Sequence, residues 1–335
     1  MNHPRTPFFT RIMLRKGLIF TTFLIAFVFG SILFPSCSRQ RTQTPAPTTS
    51  ANNNNNTAAL GYTNANTFHT QNQQQEQVFT VDSPGTGPIV GAMGTKLYPT
   101  ANIFMFPNGG NVVYPFTIKL VEIYPNKDII LSNMPPIAGG KILDSKAEIR
   151  VRAYKDTTEL VLRPGKKFNM QTATVSNILT QMSDFYGFQS GAITDWTNNV
   201  STLNPAISPD TLSSVTNLAS SYSMNIARMG WMDCAKFDAS GGTPTTLSFT
   251  TTGNNIQNIE VYLVFQNIPC VMKAYNLVSG QIPIGTNLIM VAFAMNASNQ
   301  LVYDKQTITV TAGQVVTLNM QSTTSANLLS VLAAL

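Results

Sequence analysis

Few side chains in this chain are equipped for chemistry, and their positions exclude more than they allow. The two histidines are His3, near the start, and His69, inside a run of Asn, Gln and Thr. Neither lies in a stretch that reads as folded. Ser-His-Asp and Cys-His nucleophilic catalysis, and zinc sites that use histidine, are therefore not expected. Asp233 and Asp238 lack the dense alternation of oxygen ligands that a calcium loop needs. No metal site and no cofactor motif is expected. The remaining candidates are Cys37, Cys234, Cys270, Glu122 and the two tryptophans, Trp196 and Trp231.

Cys37 is defined by what precedes it. Residues 1–16 are basic, and residues 17–34, GLIFTTFLIAFVFGSILF, carry no charge. Pro35 and Ser36 then lead into Cys37 and a polar stretch. A basic start, an apolar centre and a small residue at the cut form an export signal. A cysteine just after that cut resembles the lipobox of bacterial lipoproteins, in the relaxed form of Bacteroidota-type lipoproteins. Leu33 stands four residues before the cysteine rather than three. The resemblance implies that Cys37 receives a diacylglyceryl group and holds the mature chain to a membrane. Each buried methylene then contributes roughly 0.8 kcal/mol. An uncleaved anchor is the competing reading, since ~18 apolar residues just span a bilayer.

The charge balance agrees with removal of a signal. Four of the 21 basic residues (Arg5, Arg11, Arg15 and Lys16) precede Cys37 and no acidic residue does, which leaves 17 basic against 15 acidic. The basic pI therefore gives no support to nucleic-acid binding. Arg39 and Arg41 follow the cysteine where surface-exported lipoproteins of the same type resemble one another in carrying acids. The expected address is the outer membrane, on its periplasmic rather than its surface face.

Residues 37–76 read as the lipidated cysteine and a disordered tether. ANNNNNTAA and QNQQQEQ offer almost nothing apolar to offset the entropy of ordering. As a flexible coil, ~39 residues span about 35 Å r.m.s..

Residues 77–172 read as β structure. Phe116, Ile118 and Leu120 alternate, as do Ala147, Ile149, Val151 and Ala153 against Glu148, Arg150 and Arg152. Period-two patterning broken by turn signals predicts an antiparallel sandwich with one wet face per sheet. Glu122 shares the parity of Phe116, Ile118 and Leu120, so an unbroken strand turns it inward. A buried carboxylate needs a partner; a ligand contact, a structural ion pair or a bend before it would each satisfy that. Asp128, after Pro125-Asn126-Lys127, reads as a turn residue.

The succession GAMGTKLYPTANIF, PFTIKLVEIY, KDIILSNMPP, KILDSKAEIRVRAY and LVLRPGKKF resembles the ZU5-like β-sandwich of extracellular bacterial lipoproteins, over about a hundred residues. The resemblance implies a binding or scaffold module. The self-cleavage of some ZU5 domains needs a His-Phe-Ser site, which this region lacks.

Residues 173–245 read as a connector with a short helix around Val175 to Met182 and another capped by Ser208 or Asp210. Trp196, Trp231, Tyr186, Phe188 and Tyr222 fall here. They suit either a sugar-stacking platform or buried anchors where two lobes meet. MGWMDCAKF is similar to a segment that leads into the second sandwich of the same lipoprotein group.

Residues 246–335 return to strands and resemble Ig-like modules of the carboxypeptidase-regulatory type. Asn296–Asn299 and Ala312-Gly313 read as hairpin turns. Thr323 or Thr324 caps a closing helix with Leu328, Leu332 and Leu335 on one face. Cys234 and Cys270 form an even pair in an oxidising compartment; a disulfide and two free thiols both fit.

The expected fold is all-β: two antiparallel β-sandwich domains, a short partly helical connector and a C-terminal helix, preceded by a tether. The expected protein is a non-enzymatic, lipid-anchored binding or scaffold module of the cell envelope, with envelope proteins or glycans as partners. A carbohydrate-binding or adhesion lipoprotein with an aromatic platform is the alternative.

Overall fold

The computed structural model describes residues 64–335 except 86, 191–192, 200–202, 204–213, 253–255 and 257. The export signal, Cys37, the tether up to residue 63, and the cap candidates Ser208 and Asp210 lie outside the described residues. Among the described residues no helix is long and apolar enough to cross a membrane.

The chain is all-β with short helices. After helix α1 (Ala65–Asn72), the first half contributes β1 (Gln77–Val81), β2 (Ile89–Val90), β3 (Lys96–Tyr98), β4 (Phe104–Met105) and β5 (Phe116–Ile123). Helix α2 (Asn126–Ser132) follows, then β6 (Ile137–Ala138), β7 (Lys141–Lys155), β8 (Thr158–Glu159), β9 (Val161–Leu162) and β10 (Phe168–Gln171). The half closes with β11 (Ser183–Ser190), β12 (Ile193–Thr197), β13 (Ser214–Asn217), β14 (Tyr222–Ile226) and β15 (Gly230–Phe237).

An antiparallel sheet in the order β1-β5-β7-β15-β11-β12 faces a second sheet ordered β13-β14-β10-β3-β2. Their shared core holds the alternating residues read from the sequence, Phe116, Ile118 and Leu120 on β5 and Ala147, Ile149, Val151 and Ala153 on β7. Leu97, Phe168, Met170, Tyr222 and Met224 close it from the other sheet.

This sandwich corrects the expected connector. The segment around Val175 to Met182 forms no helix, and residues Ser214–Asn217 are strand β13 rather than part of a second helix. β11 to β15 complete both sheets. Their backbone groups find partners in strands far away in sequence, a gain that local helix signals cannot reveal.

The second half contributes β16 (Pro244–Thr245), β17 (Ser248–Thr251), β18 (Glu260–Phe265), β19 (Val271–Ala274) and β20 (Ile282–Pro283). It ends with β21 (Asn287–Met295), β22 (Leu301–Thr309), β23 (Val315–Leu318), β24 (Gln321–Ser322) and helix α3 (Ser325–Ala333). The main sheet runs β19-β18-β21-β22-β24, opposed by the pairs β17-β23 and β16-β20. The first of these pairs is parallel. Asn296 to Asn299 sit in the β21-β22 hairpin as expected, with the Asn296 N–H donating to Gln300 O. The turn at Ala312-Gly313 instead sends the chain across to β17.

β18 and β21 bury nearly every residue and show no alternation. Leu263 and Met290 enter the inner core. Tyr262, Val264, Val291 and Phe293 face the other way, into a layer made by α1, α2 and α3. A strand covered on both faces reads as a continuous apolar run. α3 is capped by the Thr324 side chain, which accepts from the Asn327 N–H, and it buries Leu328 and Leu332.

The structure also corrects the tether. Residues 64–76 are not outside the fold: α1 buries Ala65, Phe68 and His69. Asn64 caps α1 by accepting from the Thr67 N–H. Phe68 lies against Phe293 with ring centroids 5.5 Å apart. Full burial of one such ring stabilises by roughly 1.5–3 kcal/mol, which a polar composition conceals. Asp128 is likewise not a turn residue. It sits in the first turn of α2, where it accepts from Gln74 Nε2 at 2.8 Å.

Candidate functional site

The first sandwich carries an open cleft of about 640 Å³. Thr100, Ala101 and Asn102 form one wall, Asn111 to Tyr114 another, and Pro84 and Arg163 complete it. Short elements hold these groups. The Ala101 N–H donates to Tyr114 Oη at 3.0 Å, tying the two walls together. The Arg163 N–H donates to Ile103 O, and its Nη2 donates to Asn111 Oδ1 at 2.6 Å. The guanidinium is thus held at the cleft with donors to spare. Val113 is 64% exposed beside it, and no carboxylate lines the walls. An apolar trough with one positioned cation and several amide and hydroxyl groups suits a ligand with an anionic end. None of these residues was singled out from the sequence, because they become neighbours only when β4 pairs with β9.

Glu122 points inward, as its parity required, and is 2% exposed. Its Oε2 accepts from Gln77 Nε2 at 2.8 Å and from the Met93 N–H at 3.0 Å. Its Oε1 accepts from the Thr95 N–H at 2.9 Å. Three donors occupy the carboxylate, so it fastens the 91–95 turn to β5 and offers nothing to a ligand. Gly91 is required there: a Cβ at that position would lie 2.4 Å from Glu122 Oε2.

The aromatic residues are not laid out as a platform. Trp196 is 2% exposed, and its Nε1–H donates to Pro135 O at 2.8 Å. Tyr186 and Tyr222 are fully buried. Trp231 and Phe188 are half-buried. Trp231 packs against Trp196, and the Arg150 guanidinium covers its ring at 5.1 Å. Gly187 allows this contact, since a Cβ there would meet Trp196, Trp231 and Met134 at about 3 Å. These tryptophans are anchors where the first sandwich meets the 133–138 segment.

Cys234 and Cys270 are free thiols. Cys234 faces the first core and Cys270 the second. Burial, and then nearby carboxylates, push both well above the usual thiol range. Neither is activated as a nucleophile.

Two polar clusters escaped sequence reading. In the first, His69 Nδ1–H donates to Leu131 O at 3.1 Å, and Nε2 meets Glu260 Oε2 at 2.5 Å. Lys273 Nζ donates to Glu260 Oε1 at 3.1 Å and to Asn133 Oδ1 at 2.9 Å. The Tyr262 hydroxyl lies 2.8 Å from Glu260 Oε2. Burial alone would raise Glu260, but His69, Lys273 and Tyr262 together bring it down to about 2. A histidine therefore does lie in the folded region, as a tie between α1 and β18. The hydroxyl beside it is that of Tyr262, which burial pushes well above its usual range. The second cluster is the pair Glu148 and Asp233, directly opposite each other on β7 and β15 and 1% and 0% exposed.

Among the described residues no three His, Cys, Asp or Glu side chains come together to hold a metal ion. No protein-family model matches the chain, and no curated protein matches it.

Proposed function

We propose that this protein is a lipid-anchored, non-enzymatic binding module of the cell envelope, and that the cleft around Arg163 takes the anionic end of its ligand. The cleft carries the binding reading: it is open, mostly apolar, and contains one cation positioned by Asn111 and no carboxylate. Cys37, behind its apolar run, supports the anchor, and the order of the β segments supports a ZU5-like module followed by an Ig-like one. The outer membrane, facing the periplasm, is the address that Arg39 and Arg41 favour.

The ligand test uses the full mature chain in detergent, screened against envelope glycans and anionic peptides. A ligand retained by the wild type and released by both Arg163→Ala and Asn111→Ala locates binding in the cleft. A ligand held equally by all three places it elsewhere. The anchor test is the intact mass of the mature protein. A mass that retains residues 1–36, or a Cys37→Ala variant that still fractionates with membrane, overturns the lipoprotein reading.

A further inference from the structure

The large sheet of the first sandwich should have one wet face by its alternation, yet part of that face is dry. Ala147, Ile149, Met232 and Cys234 point into the first core. Their neighbours Glu148 and Asp233 therefore point to the opposite face, where the second sandwich covers them. The Ser145 N–H donates to Pro269 O at 3.4 Å across this joint, and Cys270 Sγ lies 3.8 Å from Pro136 O. Phe185, Leu143, Met134 and Ala235 form the apolar surroundings.

Glu148 and Asp233 have too few partners for two carboxylates. The Ser145 hydroxyl donates to Asp233 Oδ1 at 2.6 Å. Glu148 Oε1, Glu148 Oε2 and Asp233 Oδ2 are buried and accept no hydrogen bond. The cations nearby are already engaged. Lys146 pairs with Asp144 at 3.1 Å, and Arg150 pairs with Glu76 at 3.0 Å. The other titratable groups around the pair are Asp144 on β7, Cys234 on β15, Asp184 on β11, and Cys270 and Asp238 on the second-sandwich side. None adds positive charge. Two carboxylates opposite each other on adjacent strands cannot both ionise in such a place.

We infer that Glu148 and Asp233 hold at least one proton between them, and that this makes the joint between the two sandwiches tightest in acid and progressively looser as the pH rises. A proton on either carboxyl removes one buried, uncompensated negative charge. Burial, followed for Glu148 by the Asp233 charge, holds Glu148 well above the usual carboxylate range. Burial, helped by the Asp144 charge, pushes Asp233 up to about 8, against hydrogen bonds from the Ser145 hydroxyl and the Ala147 N–H. Opening the joint exposes the pair to water, where aspartate titrates near ~3.9. Between that value and about 8 the closed form binds an extra proton at Asp233, and the raised Glu148 acts in the same direction, so closure weakens throughout this window.

The Ser145 amide reports on the joint directly. Native-state hydrogen exchange of the full chain, read as protection factors from pH 4.5 to 8, is the test. The wild type should show Ser145 less protected than the core amides of Leu120 and Leu263. Its opening equilibrium should rise at least about tenfold per pH unit. Asp233→Asn and Glu148→Gln should each reduce that slope, and the double variant should flatten it. A flat wild-type profile overturns the inference, as does an undiminished slope in the double variant. Ser145 protection equal to that of the core amides also overturns it, because the joint then opens only with the whole fold. Should the double variant not fold, the two single variants decide: a slope equal to the wild type's in both overturns the inference.

Discussion

His69 and Glu260 are separated by 191 positions, and their side chains meet at 2.5 Å. The contact joins a helix written in tether-like composition to an inner strand of the second sandwich. His69→Ala should remove the hydrogen bonds to Glu260 and Leu131 and release α1. Breaking a buried pair costs about 3–5 kcal/mol. Glu260 is 19% exposed, so about 2–3 kcal/mol is expected. Urea unfolding gives the magnitude, and new proteolytic cleavage between residues 64 and 76 confirms the release.

The same pair sets an acid limit. Glu260 is held at about 2, below the ordinary glutamate value, so its contribution is complete above ~4.3 and is lost as the pH falls toward 2. The wild type should lose protection of α1 in this range. Glu260→Gln, already weakened at neutral pH, should lose much less. A proteolysis series from pH 5 to pH 2 distinguishes the two.

Glu122→Gln replaces one acceptor oxygen with an NH2 that faces donors. A destabilisation of about 2–4 kcal/mol is expected. Gly91→Ala should be of similar size, because its Cβ would collide with Glu122. The double variant should cost less than the sum, since both changes strike the same contact. Thermal unfolding of the three variants measures this.

Trp196→Ala should cost about 3–5 kcal/mol through the cavity it leaves, and Trp196→Phe less. Neither should act by removing a sugar-stacking surface, since the ring is buried. Comparison of unfolding free energy with ligand retention separates the two roles.

Cys234 and Cys270 should resist alkylation in the folded protein and react as two thiols after denaturation without reductant. Mass spectrometry of the labelled chain counts them. A pair that reacts only after reduction would show a disulfide.

The core positions on β5 and β7 were legible because alternation records which side of a strand is dry, and neighbouring residues carry that record. Thr324 and the Leu328–Leu332 spacing marked α3 in the same way. Glu122 was legible as an inward carboxylate. Its partners were not, since two come from a turn some thirty positions earlier and the third, Gln77, from β1.

The sequence by itself determined the all-β class, two sandwiches, the inner face of the first and the closing helix, because each follows from periodicity, turn signals and capping within a few residues. Only the tertiary structure decided that β11 to β15 belong to the first sandwich and that α1 docks through His69. Only it decided that Glu148 lies dry while Arg150 and Arg152, two and four positions further along β7, stay half-exposed. Those outcomes depend on which distant surface covers a face. A one-dimensional pattern shows that a face is apolar or polar, and it cannot show what is placed on top of it.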